Sequence, residues 1–227
     1  MRCALKTAEL FDFSHTVAGD FLKKCEYPWQ ALPYIGEWIL AIGATLDLAR
    51  YDRVAQHIWI AKSAKVAPSA SISGPCIIGE DAEVRHCAFL RGNALIGSGA
   101  VVGNSTELKN AILLDGVQVP HFNYVGDSIL GYKSHLGAGA ITSNVKSDKS
   151  LVVIRANGCE IETGRKKVGA MVGDLAEVGC GCVLNPGTVI GRGSRIYPLC
   201  SVRGTVPPTV ICKVHHRISL CEQIKGK

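Results

Sequence analysis

Large aliphatic side chains recur every six residues over much of this chain. The first run holds nine of them, at Ile60, Val66, Ile72, Ile78, Val84, Leu90, Ile96, Val102 and Leu108. Four residues after each one comes a side chain that is nearly always small, as at Ala64, Ala70 and Cys76. A period of six fits neither an α-helix nor an isolated strand, but it fits a coil of short flat segments that each point one large and one small side chain inward. The pattern therefore predicts a mainly β fold, a parallel β-helix.

The same pattern continues, with interruptions, almost to the end of the chain. Its later positions are Leu113, Val119, Val125, Leu130, Leu136, Val172, Val178, Leu184, Ile190, Ile196 and Val202. The chain resembles the hexapeptide-repeat proteins, in which three six-residue segments make one triangular turn of a left-handed, single-stranded coil. Twenty positions then imply six to seven turns, and stacking at about 4.8 Å per turn gives a prism about 30 Å long.

The pattern divides the chain into three parts. Residues 1–58 do not repeat, and their apolar clusters predict a helical N-terminal segment whose longest helix covers about 34–48. Residues 59–208 form the predicted β-helix. Within it, residues 145–169 lose the period and carry a hydrophilic GRKK run, so they are predicted to form a loop that leaves one corner. Residues 209–227 are a C-terminal tail, and its two histidines are interpreted as surface residues.

Composition narrows the class of protein. Of the 227 residues 47% are hydrophobic and 6% aromatic, which predicts a core of mostly aliphatic side chains. The ten cysteines are scattered, and no secretory h-region opens the sequence, so we expect a reduced, cytoplasmic protein. The longest apolar stretch, 38–46, is far short of the roughly 20 residues that span a bilayer, so no membrane association is expected. A net charge of +6 with dispersed basic residues favours small phosphorylated ligands over nucleic acid.

Polar side chains that the repeat does not need are concentrated in one stretch, Asn104–Asn144. The spacing of the aliphatic positions shortens from six to five residues twice within it, and His121, Tyr124 and Asp127 lie around these two places. Candidate chemistry is therefore expected there.

Residues about 18 apart occupy the same corner of successive turns. Arg91 and Lys109 are therefore predicted to form a vertical pair of cations, and Asn104 to lie below His121. Two cations about 5 Å apart repel each other, and an anion between them would explain the pair. The stacking predicts a site for an anionic ligand.

The segments LRGNALIGSGAVVGNSTELKNAILLDGVQVPHFNYVGDSILG and HLGAGAITSN resemble the acetyltransferase domain of bifunctional glucosamine-1-phosphate acetyltransferase and N-acetylglucosamine-1-phosphate uridyltransferase enzymes. The resemblance covers about residues 27–208 and includes both five-residue spacings. YPW at 27–29 and the ETGRKKVGAMVGD loop are similar to archaeal sugar-phosphate nucleotidylyltransferases. The uridylyltransferase domain of that family, with its LxAGxGTRM-like loop, has no counterpart in this sequence.

The resemblance implies an acetyltransferase related to UDP-N-acetylglucosamine biosynthesis. It further implies acetyl-CoA as co-substrate with no metal required, an amino-sugar phosphate such as glucosamine 1-phosphate as acceptor, and a homotrimer with sites between subunits. A separate nucleotidyltransferase is a further candidate partner.

The resemblance also implies roles for individual acceptor-site residues. His121, in the HFNY motif, would be the general base and Tyr124 a substrate contact. Arg91 and Lys109 would hold the sugar phosphate, and Asn144 a sugar hydroxyl or amide. The chemistry agrees independently, because an amine that attacks a thioester must lose a proton, and histidine accepts one near neutral pH.

The donor site follows by the same route. Ala138 and Cys180 would line the pantetheine arm of coenzyme A, and Pro198 is a further cofactor-binding position. Backbone N–H groups around Gly137 and Ala138 would stabilise the tetrahedral oxyanion. The last turns supply candidate phosphate contacts at Arg192, Arg195 and Arg203. Cys180 is interpreted as a small packing residue rather than a nucleophile, because no cation or base is obviously placed to lower its pKa.

Several positions depart from the family's pattern. His135 stands where the family has an asparagine that contacts substrate, Cys180 where it has a serine, and Pro198 where it has an alanine. The family's lysine after the asparagine corresponds to Lys146 or Lys149, of which Lys149 is assigned to substrate binding. These departures leave the sugar and the acyl group open.

Two functions from other classes remain alternatives. A non-catalytic trimer, acting as a sugar-nucleotide sensor or assembly platform, would keep the fold without the chemistry. A zinc hydratase of the γ-carbonic anhydrase kind would need three converging histidines. Because His86 and His121 are predicted to lie two turns, about 10 Å, apart in one column, they cannot ligate one ion within a chain.

Overall fold

The computed structural model describes residues 5–214 and confirms the predicted parallel β-helix. We number its three faces in the order in which the chain visits them. The strands of the first face are Ile58–Ala61, Cys76–Ile78, Ala94–Ile96, the second half of Glu107–Leu113, the second half of Tyr124–Leu130, Ala170–Val172, Thr188–Ile190 and Thr205–Val206.

The second face is a sheet of eight strands, Lys65–Val66, Glu83–Val84, Val101–Asn104, Gln118–His121, His135–Leu136, Glu177–Val178, Arg195–Ile196 and Ile211–Cys212. The third face contains Ser71–Ser73, Phe89–Arg91, the first halves of Glu107–Leu113 and Tyr124–Leu130, then Ile141–Thr142, Val183–Leu184 and Ser201–Val202. Corners are named by the faces they join, so the first corner joins the first and second faces, the second joins the second and third, and the third joins the third and first.

The coil is longer than the six to seven turns predicted from the aliphatic positions. Three further inward positions complete it, at Thr142, Val206 and Cys212, which align in register with Val125, Ile190 and Ile196 respectively. Thr142 is not aliphatic, Val206 follows Val202 by only four residues, and Cys212 lies beyond residue 208. A search for aliphatic residues spaced six apart up to residue 208 therefore misses all three positions.

The two five-residue spacings are places where one strand continues around the third corner. Glu107–Leu113 and Tyr124–Leu130 each cross from the third face to the first without a break. Asn110 and Asp127 make the bend with φ angles of 49° and 47°. Asn and Asp tolerate this left-handed conformation better than most residues, which explains their presence at these two bends.

The N-terminal segment is helical, as predicted, and it packs on the outside of the first face. Its α-helices are Thr7–Leu10, Gly19–Leu22 and Ile35–Gly43, with 3₁₀ turns at Phe13–His15 and Pro28–Tyr34. The helix Ile35–Gly43 and the turn Pro28–Tyr34 contact first-face strands. As a result the outward residues of this face are buried, as at Ile77, Leu95, Ile112 and Ile129. Its strands are apolar on both sides, as in parallel sheets covered on both faces.

The interruption at 145–169 is an antiparallel hairpin, Val153–Ala156 with Cys159–Glu162, rather than an irregular loop. Val152 and Ile154 are buried against the coil, near Gly187. Beyond the hairpin the chain returns to the coil, where the N–H of Val168 donates to the Asn144 carbonyl at 3.0 Å. The insertion is thus held against the third corner at its return.

The N-terminal segment is fastened to the first corner by a buried carboxylate. Asp174 is fully buried and accepts the backbone N–H groups of Asp12 at 2.7 Å and Tyr132 at 2.8 Å.

None of the helices found in residues 5–214 has the length and hydrophobicity needed to cross a membrane. The two tail histidines, His215 and His216, lie outside the described residues.

Candidate functional site

The second corner presents His121 to solvent. His121 ends its strand, Phe122 follows with a φ of 52°, and both side chains are exposed. Asn123, by contrast, is buried, and its amide donates to the carbonyls of Gly137 at 2.8 Å and Ala140 at 3.0 Å on the next turn. Its Oδ1 accepts the His121 N–H at 3.1 Å. Asn123 therefore fixes the backbone of the HFNY motif and leaves the imidazole exposed.

Residues of successive turns stack at this corner in what we call the histidine column, made of His86, Asn104, His121, Ala138, Cys180 and Pro198. Asn104 pairs in register with His121, as predicted, and the carbonyl of His121 accepts the Gly139 N–H at 3.0 Å. The carbonyls of Ala138 and Cys180 accept the N–H groups of Gly181 at 2.8 Å and Leu199 at 2.9 Å. The residues predicted to line the pantetheine arm therefore lie in one column with His121.

One half of the predicted oxyanion site is not available. The N–H of Gly137 donates to the Val178 carbonyl at 2.7 Å as part of the coil's own hydrogen bonding. The N–H of Ala138, by contrast, has no backbone acceptor within residues 5–214. Ala138 is thus the candidate donor of the two.

The same column bears on the zinc alternative. Asn104 separates His86 from His121, and its Nδ2 donates to the His86 carbonyl at 3.1 Å. His86 Nδ1 lies 2.7 Å from Ser69 Oγ. Within residues 5–214, no group of three or more His, Cys, Asp or Glu side chains has the geometry to hold a metal ion.

The third corner contains a ladder of polar side chains, Asn110, Asp127 and Asn144, one on each of three successive turns. Asp127 is only 3% exposed. Its Oδ1 accepts Asn110 Nδ2 at 2.9 Å, and its Oδ2 accepts Asn144 Nδ2 at 2.6 Å. Lys109 Nζ lies 3.7 Å from the same Oδ2. A buried carboxylate is costly unless it is paired and hydrogen-bonded, so these three partners explain why it is tolerated.

Tyr124 reaches the ladder from the third face. Its hydroxyl accepts Asn144 Nδ2 at 3.3 Å. A side chain at Gly126 would overlap the Tyr124 hydroxyl, so the glycine makes room for the phenol. Burial, followed by the nearby Asp127 carboxylate, raises the pKa of Tyr124. The phenol therefore stays neutral near pH 7 and can donate a hydrogen bond to a ligand.

The predicted vertical pair of cations is in place, since the strand register puts Lys109 directly above Arg91. Each cation, however, has a carboxylate of its own. Arg91 Nη1 lies 2.7 Å from Glu107 Oε1, and Lys109 is paired with Asp127. An external anion is therefore not required to explain the pair, because each cation already has a carboxylate partner.

Next to the ladder is a cavity of about 540 Å³, lined by Leu32, Pro33, Asn93, Lys109, Asn110, Asp127, Gly164, Arg165, Lys166 and Lys167. Sequence reasoning noted the GRKK run but did not assign it to a site. The position of this run could not be predicted from a local pattern. It depends on the pairing of Lys167 with Val145, where the insertion returns to the coil.

The lysine assigned from the sequence lies elsewhere. Lys149 is exposed in a turn, where its N–H donates to the Lys146 carbonyl at 3.1 Å, and it does not line this cavity. Lys146 pairs with Asp148 at 3.5 Å and lines a different cavity, beside the hairpin. Among the lysines between Asn144 and residue 214, only Lys166 and Lys167 line the cavity that contains Lys109.

The remaining predicted residues are not brought to this site within one chain. His135 lies on the second face, with Nδ1 at 3.0 Å from Glu177 Oε2, and Arg195 pairs in register with Glu177 on the same face. Arg192 Nη2 binds the buried Asp174 carboxylate at 3.0 Å, at the first corner. Its role in the chain is therefore to offset the charge of the carboxylate that fastens the N-terminal segment.

The predicted phosphate contacts for the donor are likewise separated. Arg203 lies on the third face, where its Nη2 donates to Asn185 Oδ1 at 3.2 Å. Arg192 is at the first corner and Arg195 on the second face. These three arginines thus point to three different sides of the prism and do not form one phosphate site in a single chain.

Comparison with known proteins finds relatives that cover most of this chain. The family described as the GMPPB C-terminal domain matches residues 72–164. The bifunctional sugar-1-phosphate nucleotidylyltransferase/acetyltransferase of Sulfurisphaera tokodaii is 31% identical over 210 residues, which are 84% of this chain and 51% of that protein. The bifunctional protein GlmU of Methanococcus maripaludis is 33% identical over 115 residues, 51% of this chain and 28% of that protein.

Among solved structures, the acetyltransferase domain of PglB from Neisseria gonorrhoeae in complex with acetyl coenzyme A matches with a TM-score of 0.35 and 19% identity, covering 68% of this chain and 53% of that one. The chain spans about half the length, or less, of the two curated relatives named above. The resemblance of this chain to bifunctional sugar-1-phosphate nucleotidylyltransferase/acetyltransferases, inferred from its motifs, is confirmed by these relatives.

Proposed function

We propose that this chain transfers an acetyl group from acetyl-CoA to the amine of an amino-sugar phosphate such as glucosamine 1-phosphate. The observation that carries the proposal is the arrangement of the third face. An exposed histidine, His121, lies at one edge, and the Lys109, Asp127 and Asn144 cluster lies at the other, with Tyr124 between them. A base for the amine and a cation for the phosphate therefore flank one face.

The reaction follows from these groups. The amine nitrogen attacks the thioester carbonyl carbon while His121 accepts the proton that the nitrogen loses. The Ala138 N–H is the candidate donor to the oxyanion of the tetrahedral intermediate. When the intermediate collapses, the carbon–sulfur bond breaks, and the imidazolium returns the proton to the leaving thiolate. The products are the N-acetylated sugar phosphate and coenzyme A.

The acceptor would be held at the third corner. Lys109 is 28% exposed, so its ammonium can contact both Asp127 and a ligand phosphate. Asn144 and the neutral Tyr124 phenol supply hydrogen bonds for sugar hydroxyls. The pantetheine arm would run along Ala138, Cys180 and Pro198 of the histidine column. The thioester at its end would then lie near His121.

We further propose a homotrimer with its sites between subunits. The first face is covered by the chain's own N-terminal segment, which leaves the second and third faces for neighbours. His135, on the second face, joins the acceptor site only if a neighbouring subunit supplies it. Sedimentation would give a trimer, whereas a stable monomer with full activity would contradict this arrangement.

The function is tested by following thiol release from acetyl-CoA with a panel of amino-sugar 1-phosphates. His121→Ala should lower turnover about 10²–10⁴-fold, because general-base catalysis contributes that much. The melting temperature should hardly change, since the side chain is exposed. His86→Ala, two turns away in the same column, is the matched control and should keep its activity. Full activity of His121→Ala would contradict the mechanism, and no turnover with any acceptor would favour a non-catalytic trimer.

A further inference from the structure

Three consecutive cations, Arg165, Lys166 and Lys167, have no carboxylate partner within residues 5–214. Two other cations near the site are paired with carboxylates, Arg91 with Glu107 and Lys109 with Asp127. Arg165 Nε is in addition buried without a hydrogen-bond partner. Buried polar atoms are normally satisfied, so a buried guanidinium nitrogen beside two lysines without carboxylate partners favours binding of an anion at this position.

The segment that carries these cations is fixed at both ends. On one side, the Arg165 N–H donates to Thr163 Oγ1 at 3.2 Å and its carbonyl accepts the Val152 N–H at 2.8 Å. On the other, the N–H groups of Val168 and Gly169 donate to the carbonyls of Asn144 at 3.0 Å and Asp127 at 2.8 Å. The backbone between them is thus tied to the polar ladder, and it keeps its side chains beside Lys109.

The cavity beside the ladder has its cations on two separate segments of the chain. It contains four cations, Lys109 and the three above, against one carboxylate, Asp127, which two amides already bind. Each phosphate of a nucleoside-diphosphate sugar carries one negative charge, so its diphosphate has about the same total charge as a phosphate monoester at pH 7. Cations on two segments, Lys109 on a coil strand and the other three on the insertion, are suited to contact two phosphates separately.

A second cavity of about 540 Å³ continues from the first. The two share Pro33, Gly164 and Arg165, and the second is also lined by Gln30 and Tyr34. Tyr34 is 56% exposed, so the ring is open to a ligand in this cavity. An exposed aromatic ring beside cations is suited to stacking a nucleobase.

We propose that Lys109, Arg165, Lys166 and Lys167 bind a diphosphate and that Tyr34 stacks on its nucleoside, so the preferred acceptor is a nucleoside-diphosphate amino sugar rather than a sugar 1-phosphate. This rests on the acetyl transfer proposed above and replaces its acceptor, glucosamine 1-phosphate, by a nucleoside-diphosphate amino sugar. Coenzyme A also contains a diphosphate. Its proposed column, however, lies at the second corner, whereas these cations lie at the third, which assigns the diphosphate to the acceptor.

Binding measurements test the assignment without catalysis. By calorimetry, inorganic pyrophosphate should bind the intact protein at least tenfold more tightly than inorganic phosphate. The double variant Lys166→Ala/Lys167→Ala should lose that difference, while its affinity for coenzyme A stays within twofold. The matched control, Lys62→Ala/Lys65→Ala, removes the same charge from exposed sites near the first turn and should keep the difference. Equal affinities for the two anions, or a loss of coenzyme A affinity instead, would overturn the proposal.

Tyr34→Ala tests the nucleoside. It should weaken binding of UDP at least fivefold and leave pyrophosphate within twofold, because only UDP carries a base. Unchanged UDP affinity would remove Tyr34 from the site.

Thiol release then separates this proposal from the function on which it rests. With acetyl-CoA, kcat/KM for UDP-glucosamine should exceed that for glucosamine 1-phosphate at least tenfold, and the Lys166→Ala/Lys167→Ala variant should abolish the preference. A preference for the 1-phosphate would overturn the diphosphate assignment and leave acetyl transfer intact. Absence of transfer to any acceptor would contradict the proposed function, and the pyrophosphate measurement would still decide the anion site.

Discussion

The first and third faces of the prism have similar inward residues, mostly large and aliphatic, but their outward residues differ in polarity. Outward positions of the first face are apolar and buried, as at Ile77 and Leu95, because the N-terminal segment covers them. Outward positions of the third face are charged or half-exposed, as at Arg91, Lys109 and Tyr124. The inward pattern determines the coil, and the outward pattern shows what each face contacts.

This difference in outward residues helps to distinguish side chains that pack from side chains that are candidates for binding or catalysis. A polar outward residue on a strand that otherwise needs none is a candidate for function, provided that its partners are examined. Arg192 fails that test, since it binds the buried Asp174 carboxylate. Lys109 passes it, since its ammonium remains partly exposed beside an open cavity.

The largest expected effect contrasts the two faces directly. Leu95→Ala, on the first face, removes a buried side chain beneath the N-terminal segment and should lower the free energy of unfolding by about 2–5 kcal/mol. Phe89→Ala, outward on the third face and 41% exposed, should cost less than about 1 kcal/mol although more atoms are removed. Urea titrations of both variants would measure this, and equal losses would show that the third face is also packed.

A smaller effect is expected at the third corner. Asp127→Asn replaces a carboxylate that accepts from two amides and a lysine, and the new amide group would face Asn110 or Asn144 as a second donor. An unsatisfied buried group costs about 1–3 kcal/mol, so stability should fall by that amount. With Lys109 no longer held, the KM for the acceptor should rise about tenfold while kcat changes little.

Asp115→Asn is the control for Asp127→Asn. Asp115 is a half-buried carboxylate away from the site, at the first corner, where it accepts the Ser98 N–H at 2.8 Å. Its KM should be unchanged. A fall in kcat with constant KM in Asp127→Asn would instead mean that Asp127 acts on the reacting atoms rather than by positioning Lys109 and Asn144.

Which features could be predicted from the sequence depends on how far apart in the chain the interacting residues lie. The coil and the positions of His121, Tyr124 and Asn144 follow from a local period and from motifs within it. The burial of Leu95 does not, because it depends on a segment more than 50 residues away in the chain, Ile35–Gly43. The position of Lys167 beside Lys109 depends on the return of a hairpin, and periodicity carries no information about where an insertion returns.

The same reason explains why the three donor arginines predicted from the sequence are not brought together within one chain. Arg192, Arg195 and Arg203 are close in sequence, but a triangular coil sends neighbouring residues to different sides. Their spacings of three and eight residues are not multiples of a full turn, whereas Cys180 and Pro198 are 18 apart and do stack. Separation by whole turns is therefore a better guide to proximity in this fold than closeness along the chain.

The smallest expected effect concerns Cys180, the exposed thiol of the histidine column. Cys180→Ser changes one atom at a position whose backbone carbonyl accepts the Leu199 N–H at 2.9 Å, and that bond is independent of the side chain. If the residue only lines the pantetheine arm, kcat/KM for acetyl transfer should stay within about twofold, measured by formation of the N-acetylated product. The matched control is Cys182→Ser, at a buried position where burial raises the pKa of the thiol and the group bonds to the Tyr197 carbonyl at 3.1 Å. Loss of turnover in Cys180→Ser alone would show that a thiol takes part in the reaction, and direct attack of the amine on the thioester would then be wrong.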